Sequence, residues 1–377
     1  MNSRATTPAP TRATTPASSP AFAQSVWLVT EREVGSKLRS KAFVISTAIL
    51  FVIALACVLW GGFAAQSGTS YPVAVTPETS AVTAELGEAV EVTEVATADE
   101  ARELVRSGDV DAALVPGGAE PFGYTLVGDE RVSTTLIGML SIAPQVELLT
   151  PDATDGFLRY IVALGFGLIF FMAALTFGST IAQSVVEEKQ TRVVELLISA
   201  IPTRALLAGK VLGNTILAMG QIIGLAAIAV IGLTVTGQSE LLTGLGAPLV
   251  WFGVFFLFGF ILLASLFAAA AAMVSRQEDI GSTTTPLTFL VMAPYFLVIF
   301  FNDNPLVLTV MSYVPFSAPV GMPVRIFLGE AQWWEPLLSL AVLLATCVAA
   351  IVLGAKIYEN SLLRMGARVK LSEALKA

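Results

Sequence analysis

Residues 185–197 read Val-Val-Glu-Glu-Lys-Gln-Thr-Arg-Val-Val-Glu-Leu-Leu, and their first two valines close a run of 27 residues, 160–186, without a single charge. A helix rising ~1.5 Å per residue needs about 20 apolar residues to cross a ~30 Å hydrocarbon core. The run is long enough, and the charges after it mark where the chain leaves the membrane. Outward from this point, five more uncharged runs have spanning length: 42–65, 211–239, 241–275, 280–302 and 336–355. The whole composition agrees, with 55% apolar residues, 13% charged and a mean hydropathy of +0.77, far from an ordinary soluble domain. The expected fold is an α-helical polytopic membrane protein with six transmembrane helices, placed at 42–65, 157–186, 211–235, 248–274, 282–301 and 336–356.

A further uncharged run, 304–324, holds Pro305, Pro315, Pro319 and Pro323. Each proline removes a backbone donor that lipid cannot replace. The reading is therefore an extracytoplasmic re-entrant or interfacial segment over 302–335, with a kinked seventh span as the alternative.

Six spans put both termini on one side. That side carries 16 of the 21 Lys and Arg residues, and the other holds only Arg102, Arg106, Arg131, Arg159 and Arg325. By the positive-inside rule both termini are cytoplasmic, in a multi-pass protein of the plasma membrane. Residues 1–25, rich in Thr, Ala, Pro and Ser, lack the apolar core of a signal peptide and read as a disordered cytoplasmic tail. Residues 26–41 mix apolar and basic side chains at near-helical spacing, which fits an amphipathic segment on the inner lipid surface or a merely basic flank of the first span. Residues 357–377 form a second cytoplasmic tail.

Between the first and second spans lie residues 66–156, with 16 acidic residues and three basic ones. This reads as an α/β extracytoplasmic domain inserted between the two spans. Tyr71–Thr76, Ala89–Val95, Val110–Val115 and Tyr124–Val127 have strand patterns. Thr97-Ala98-Asp99-Glu100 is a capping box that opens a helix through Arg106, closed by Gly108. Its acidity fits either attraction of cations or plain solubility.

Catalytic chemistry is sparsely provided for. The chain has no histidine, which excludes imidazole bases, histidine metal sites and Ser-His triads. Cys57 and Cys347 each sit in an apolar run and read as packed thiols. No phosphate-binding glycine loop occurs, since Gly209-Lys210 is followed by Val211 rather than Ser or Thr. No catalytic, cofactor or metal residue is expected, and no nucleic-acid partner. The spans lack the ionisable group that an ion-coupled carrier keeps at mid-membrane. Only neutral groups such as Thr176, Asn214 and Gln221 are available, and the last two, seven residues apart on one helical face, fit a pathway lining or an interhelical hydrogen bond.

Read as a helix, the opening stretch pairs Glu188 with Arg192 at i,i+4 and gathers Val186, Val193, Val194 and Leu197 on the other side. One amphipathic cytoplasmic helix is expected over 186–199, within a cytoplasmic region 187–210 broken at Pro202.

Two families share features with this stretch. Glu187-Glu188-Lys189-Gln190-Thr191-Arg192 satisfies the Glu-Glu-x-x-x-Arg motif of CAAX-type intramembrane proteases, which also need histidines that this chain lacks. The chain more fully resembles the permease subunit of type 2 ABC exporters, particularly the sodium-efflux, NatB-like branch. The carrying features are Glu-Glu-Lys-x-x-Arg-x-x-Glu-Leu-Leu at 187–197, Pro202 and Gly209-Lys210. Val314-Pro315-Phe316-Ser317-Ala318-Pro319 with Met322 and Arg325, and the ending Ile357-Tyr358-Glu359 through Arg364–Arg368, extend the likeness. The resemblance implies export of sodium ions, drugs or peptides, powered by a separate ATPase subunit that holds ATP and Mg. It implies a second permease copy or paralogue and contact with membrane lipid. It assigns ATPase coupling to Glu187, Glu188, Arg192, Glu195, Arg204 and Lys210, with the loop Ser275–Gly281 as an alternative. A membrane sensor with an outward ligand-binding domain has the same topology, although five further spans are more membrane than a sensor needs.

Overall fold

The computed structural model describes residues 21–66, 71–84, 90–118, 123–129, 132, 134–140, 156–191, 193–362, 364 and 369–376. In chain order the elements are α1 (Phe22–Leu38), α2 (Lys41–Gln66), β1 (Tyr71–Val75), α3 (Ser80–Ala84), β2 (Val90–Glu94), α4 (Ala98–Ser107), β3 (Ala112–Pro116), β4 (Tyr124–Val127) and α5 (Thr134–Leu140). There follow α6 (Gly156–Gln190), α7 (Val193–Ala200), α8 (Thr203–Val235), α9 (Ser239–Ala272), a 3-10 turn (Gln277–Asp279), α10 (Ile280–Phe300), α11 (Pro305–Tyr313), α12 (Ala318–Phe327), α13 (Glu335–Leu362) and α14 (Leu371–Lys376). Among the described residues, six helices are long and apolar enough to cross a membrane: α2, α6, α8, α9, α10 with its preceding turn, and α13. The chain divides into two compact units, residues 57–152 with 235–237, and the remainder.

In the larger unit α9 is the most enclosed span, and it packs on α6, α10, α12 and α13. Phe252, Phe256 and Phe260 recur every fourth residue and so share one stripe of α9. They meet Phe166, Phe170 and Phe177 of α6 at centroid distances of 4.8, 5.8 and 5.8 Å. Each such pair adds about 0.5–1.5 kcal/mol beyond its buried area.

The proline-rich stretch forms two short helices. Pro305 begins α11 behind the Asn304 cap, whose Oδ1 accepts from the N–H groups of Leu306 and Val307. Helices of 9 and 10 residues reach only about 15 Å, half a hydrocarbon core. A buried network ties them to α13. Arg325 donates to both Glu335 oxygens at 3.2 and 2.9 Å and to Ser312 Oγ at 3.0 Å, and Tyr313 Oη donates to Glu335 at 3.0 Å.

The smaller unit holds a four-stranded sheet in the order β2-β1-β3-β4, with β1 parallel to β2 and β3, and β4 antiparallel to β3. Both faces are covered. Ala74, Ala113 and Val115 pack with Ala101 and Val105 of α4, while Val73, Val75, Ala112 and Leu114 pack with Leu136 of α5. This explains why β1 and β3 read as unbroken apolar runs. The capping box is modified: Thr97 accepts from the Glu100 N–H as expected, but Glu100 reaches back to the N–H of Ala96 rather than of Thr97. Gly108 closes α4 in the left-handed region at φ 80°.

Two expectations shift. The helix α1 begins at Phe22, inside the stretch read as tail. Cys57 is exposed on α2, where an apolar neighbour can be lipid rather than protein, whereas Cys347 is buried. Residues 1–20, Arg131 and 365–368 lie outside the described residues.

Candidate functional site

The expected single helix over 186–199 is replaced by two. The second span continues as α6 through Gln190, a turn follows at Thr191, and α7 starts at Val193. Arg192 lies outside the described residues, and with it the expected pairing to Glu188. The physical reason for the correction is visible in the spacing of α6. Phe166, Phe170, Phe177, Ile181, Val185 and Lys189 are all buried and fall three or four residues apart or at multiples of it, so the apolar stripe of the span runs on into the charged stretch.

The four polar residues that end α6 therefore diverge. Glu187 and Gln190 are exposed, Glu188 is partly buried and Lys189 is fully buried. The Lys189 ammonium donates to the carbonyl oxygen of Ala272 at 2.8 Å and to that of Ser361 at 2.9 Å. Ala272 is the last residue of α9 and Ser361 the last but one of α13. The final carbonyls of a helix have no intrahelical partner and carry the negative end of its dipole, so an ammonium suits them.

Glu188 belongs to a different group. Its carboxylate pairs with Arg32 of α1 and lies 3.0 Å from Lys210 Nζ of α8. Lys210 is fully buried and also reaches Glu33 of α1 at 2.9 Å and Ser184 Oγ at 2.6 Å, while Arg32 contacts Glu33 at 3.1 Å. Two cations and two carboxylates thus pair crosswise between α1, α6 and α8. Among the described residues Glu188 Oε2 has no hydrogen-bond partner, and the Lys210 charge beside it is its compensation. Burial raises the Glu33 carboxyl, yet Lys210 and Arg32 outweigh it and hold its pKa below the ordinary carboxylate range.

Small residues allow α1 this close to α8. A side-chain carbon at Gly209 would lie 2.5 Å from Val29 Cβ, and one at Gly213 would lie 2.9 Å from Glu33 Cβ. Thr30 Oγ1 donates across the contact to the Gly209 carbonyl at 3.3 Å. The stripe of α1 facing the protein is polar, Ser25, Thr30 and Glu33 around Val29, while Phe22, Trp27 and Leu28 point outward.

The remaining sequence candidates separate. Glu195 is exposed on α7 next to Leu196, which is 74% exposed, and Val194 is buried. Arg204 is exposed and binds Glu359 through two hydrogen bonds of 2.8 and 3.1 Å. Asn214 is buried, with its amide donating to the Lys210 carbonyl one turn back, and Gln221 is half-buried. In the alternative loop Ser275–Gly281, Arg276, Gln277 and Glu278 are exposed. Among the described residues no group of three acidic, cysteine or histidine side chains is arranged to hold a metal.

The family profile described as "ABC-2 family transporter protein" matches residues 41–356, most of the chain. The chain belongs to the ABC-2 transporter family. This ABC-2 chain is 30% identical over 210 residues to "Uncharacterized protein YhaP" of Bacillus subtilis (strain 168), covering 52% of this chain and 50% of that one. It is 25% identical over 224 residues to "Uncharacterized protein MJ1024" of Methanocaldococcus jannaschii, covering 59% of this chain and 55% of the relative. The chain thus spans about half the length of the curated relatives it matches. No solved structure matches it. The family is one of transporters, whose membrane chains in general work with an ABC ATPase.

Proposed function

We propose that the chain is the permease subunit of an ATP-binding-cassette exporter, that a separate ATPase holding ATP and Mg docks on the α6–α7 junction, and that the substrate moves outward. The carrying observation is the division of side chains at that junction. Glu187, Gln190, Thr191, Glu195, Leu196 and Ser199 are exposed, while Glu188, Lys189 and Val194 between them are drawn inward. An exposed leucine among acidic and amide groups suits a protein partner with basic groups around an apolar contact.

The excess of Lys and Arg beside this junction supports its placement in the cytoplasm, with both termini there and the sheet-bearing unit outside, in the plasma membrane. A second permease copy or paralogue completes the pathway. Sodium, drugs and peptides remain the substrate classes implied by the resemblance to the NatB-like branch.

The test is co-purification from the native host with Glu187→Lys and Glu195→Lys combined. Neither residue has an ion pair among the described residues, so insertion and thermal stability are expected to match wild type. Like charges set against a basic partner cost several kcal/mol at an interface. The ATPase is therefore expected to be lost, and its retention at wild-type stoichiometry refutes the docking surface.

A further inference from the structure

We propose that Glu188 and Lys189 are positioning residues that divide the motion arriving at α7 between two arms, Glu188 passing it to α1 and α8, and Lys189 to α9 and α13. The inference rests on the docking reading above and adds the route by which docking is felt inside the bundle.

Adjacent residues on a helix point about 100° apart, so neighbours in sequence reach different neighbours in space. Here that divergence is complete. Among the described residues Glu188 meets the charges of Arg32 and Lys210, and Lys189 meets the two helix-end carbonyls. The turn at Thr191 separates α7 from α6, so the last turn of α6 is one of the two covalent routes from the docking face to the spans, the other running through Pro202 into α8.

The chemistry of the two arms suits transmission better than holding. Apolar side chains of similar volume secure a helix contact at least as well as buried ion pairs, so buried charge is a poor device for stability alone. In the Glu188 arm each cation touches both carboxylates. Either cation is able to keep one carboxylate while releasing the other, so α6 and α8 have a second arrangement against α1 that leaves no charge unpaired. In the Lys189 arm one ammonium joins the ends of two helices, and displacement of α6 must carry both or break one bond. Coupling between distant sites needs such elements with discrete arrangements.

The experiment is hydrogen–deuterium exchange on the complex co-purified with its ATPase, with and without ATP plus vanadate. In wild type, nucleotide is expected to change exchange both in α1 and in segments 270–276 and 359–362. A chain with Arg32→Gln, Glu33→Gln, Glu188→Gln and Lys210→Met loses the response in α1 alone. Lys189→Met loses it in 270–276 and 359–362 alone, and Lys189→Gln, whose amide still donates, restores it. A neutralised chain that keeps the α1 response overturns the proposal, as does loss in both regions from either variant. Failure of either variant to fold overturns it too, by assigning those charges to stability. A wild-type complex without any nucleotide response removes the relay but leaves the docking surface standing, whereas absence of a co-purified ATPase removes the docking reading itself.

Discussion

Replacing Lys210 by Met tests the crosswise ion group directly. The ammonium is fully buried and faces Glu33 at 2.9 Å and Glu188 at 3.0 Å. At an effective dielectric of ~20, each attraction is on the order of 5–6 kcal/mol before desolvation. Burying the ammonium costs several kcal/mol, which the substitution returns, and methionine fills a similar volume. What remains is one guanidinium, 43% exposed, serving two carboxylates that are mostly buried. Removing one partner of a buried pair costs about 3–5 kcal/mol. Because Arg32 still reaches both acids, the lower end, about 3 kcal/mol, is expected. The added change Glu33→Gln restores one cation to one anion and should recover at least half of that loss, so the two substitutions are strongly non-additive. Equilibrium unfolding in mixed micelles over the four members of the cycle reads both quantities. A single-variant loss under about 1 kcal/mol, or a double variant as unstable as the sum of the singles, refutes a charge-balanced group and leaves Lys210 as a packed side chain.

Because Glu33 is held below its ordinary pKa of about 4.3, its contribution is present above that value and is lost as pH falls through the folded pKa. Thermal melts from pH 6 to pH 3 should therefore show a steeper acid loss in wild type than in Glu33→Gln, and identical slopes contradict the assignment. Arg325→Met strands the buried Glu335 carboxylate and should destabilise by about 3 kcal/mol, with protease nicking first at 328–334; unchanged stability rejects the network as a tie between α12 and α13. In a background with Cys57→Ser and Cys347→Ala, a cysteine at exposed Ala96 should react with an impermeant thiol reagent on whole cells and one at exposed Gln190 should not. Labelling of Gln190 from outside reverses the proposed topology.

The six spanning helices were legible because their signal is local: a run without charge, measured against the thickness of a bilayer, needs no knowledge of partners. The strands of the inserted unit were legible for a similar reason, since β1 and β3 are apolar on both faces and turn residues bound them. The Glu188 pairing was not. A charge followed four residues later by its opposite satisfies a local rule for surface helices, and that rule is silent about Arg32 and Lys210, which lie 156 and 22 positions away. Lys189 is an intermediate case. Its burial was readable, because it continues the stripe of Phe177, Ile181 and Val185 at fourth-residue intervals, but the charge class of the residue masked the period. Its partners were unreadable, being backbone carbonyls that no side-chain pattern announces.

That distinction also decides which glutamate reports on what. Reversing Glu187 and Glu188 together, the natural choice when both are read as parts of one charged face, would damage the proposed docking surface and the ion group at once and could not separate them. Glu187 is exposed and belongs to no ion pair among the described residues, whereas Glu188 faces Arg32 and Lys210. A lysine at 188 would set three cations around Glu33 alone, and the helix ends would separate before any partner was met. Loss of the ATPase in such a variant would say nothing about the surface. Glu187→Lys changes what a partner meets and leaves the interior alone, while Glu188→Gln changes the interior and leaves the surface alone. If docking and relay are distinct, the first should weaken ATPase retention with an unchanged melting temperature, and the second should lower the melting temperature with retention intact. Co-purification and thermal melts on the two single variants separate these effects, and the same pair of changes in both variants would show that the junction acts as one unit.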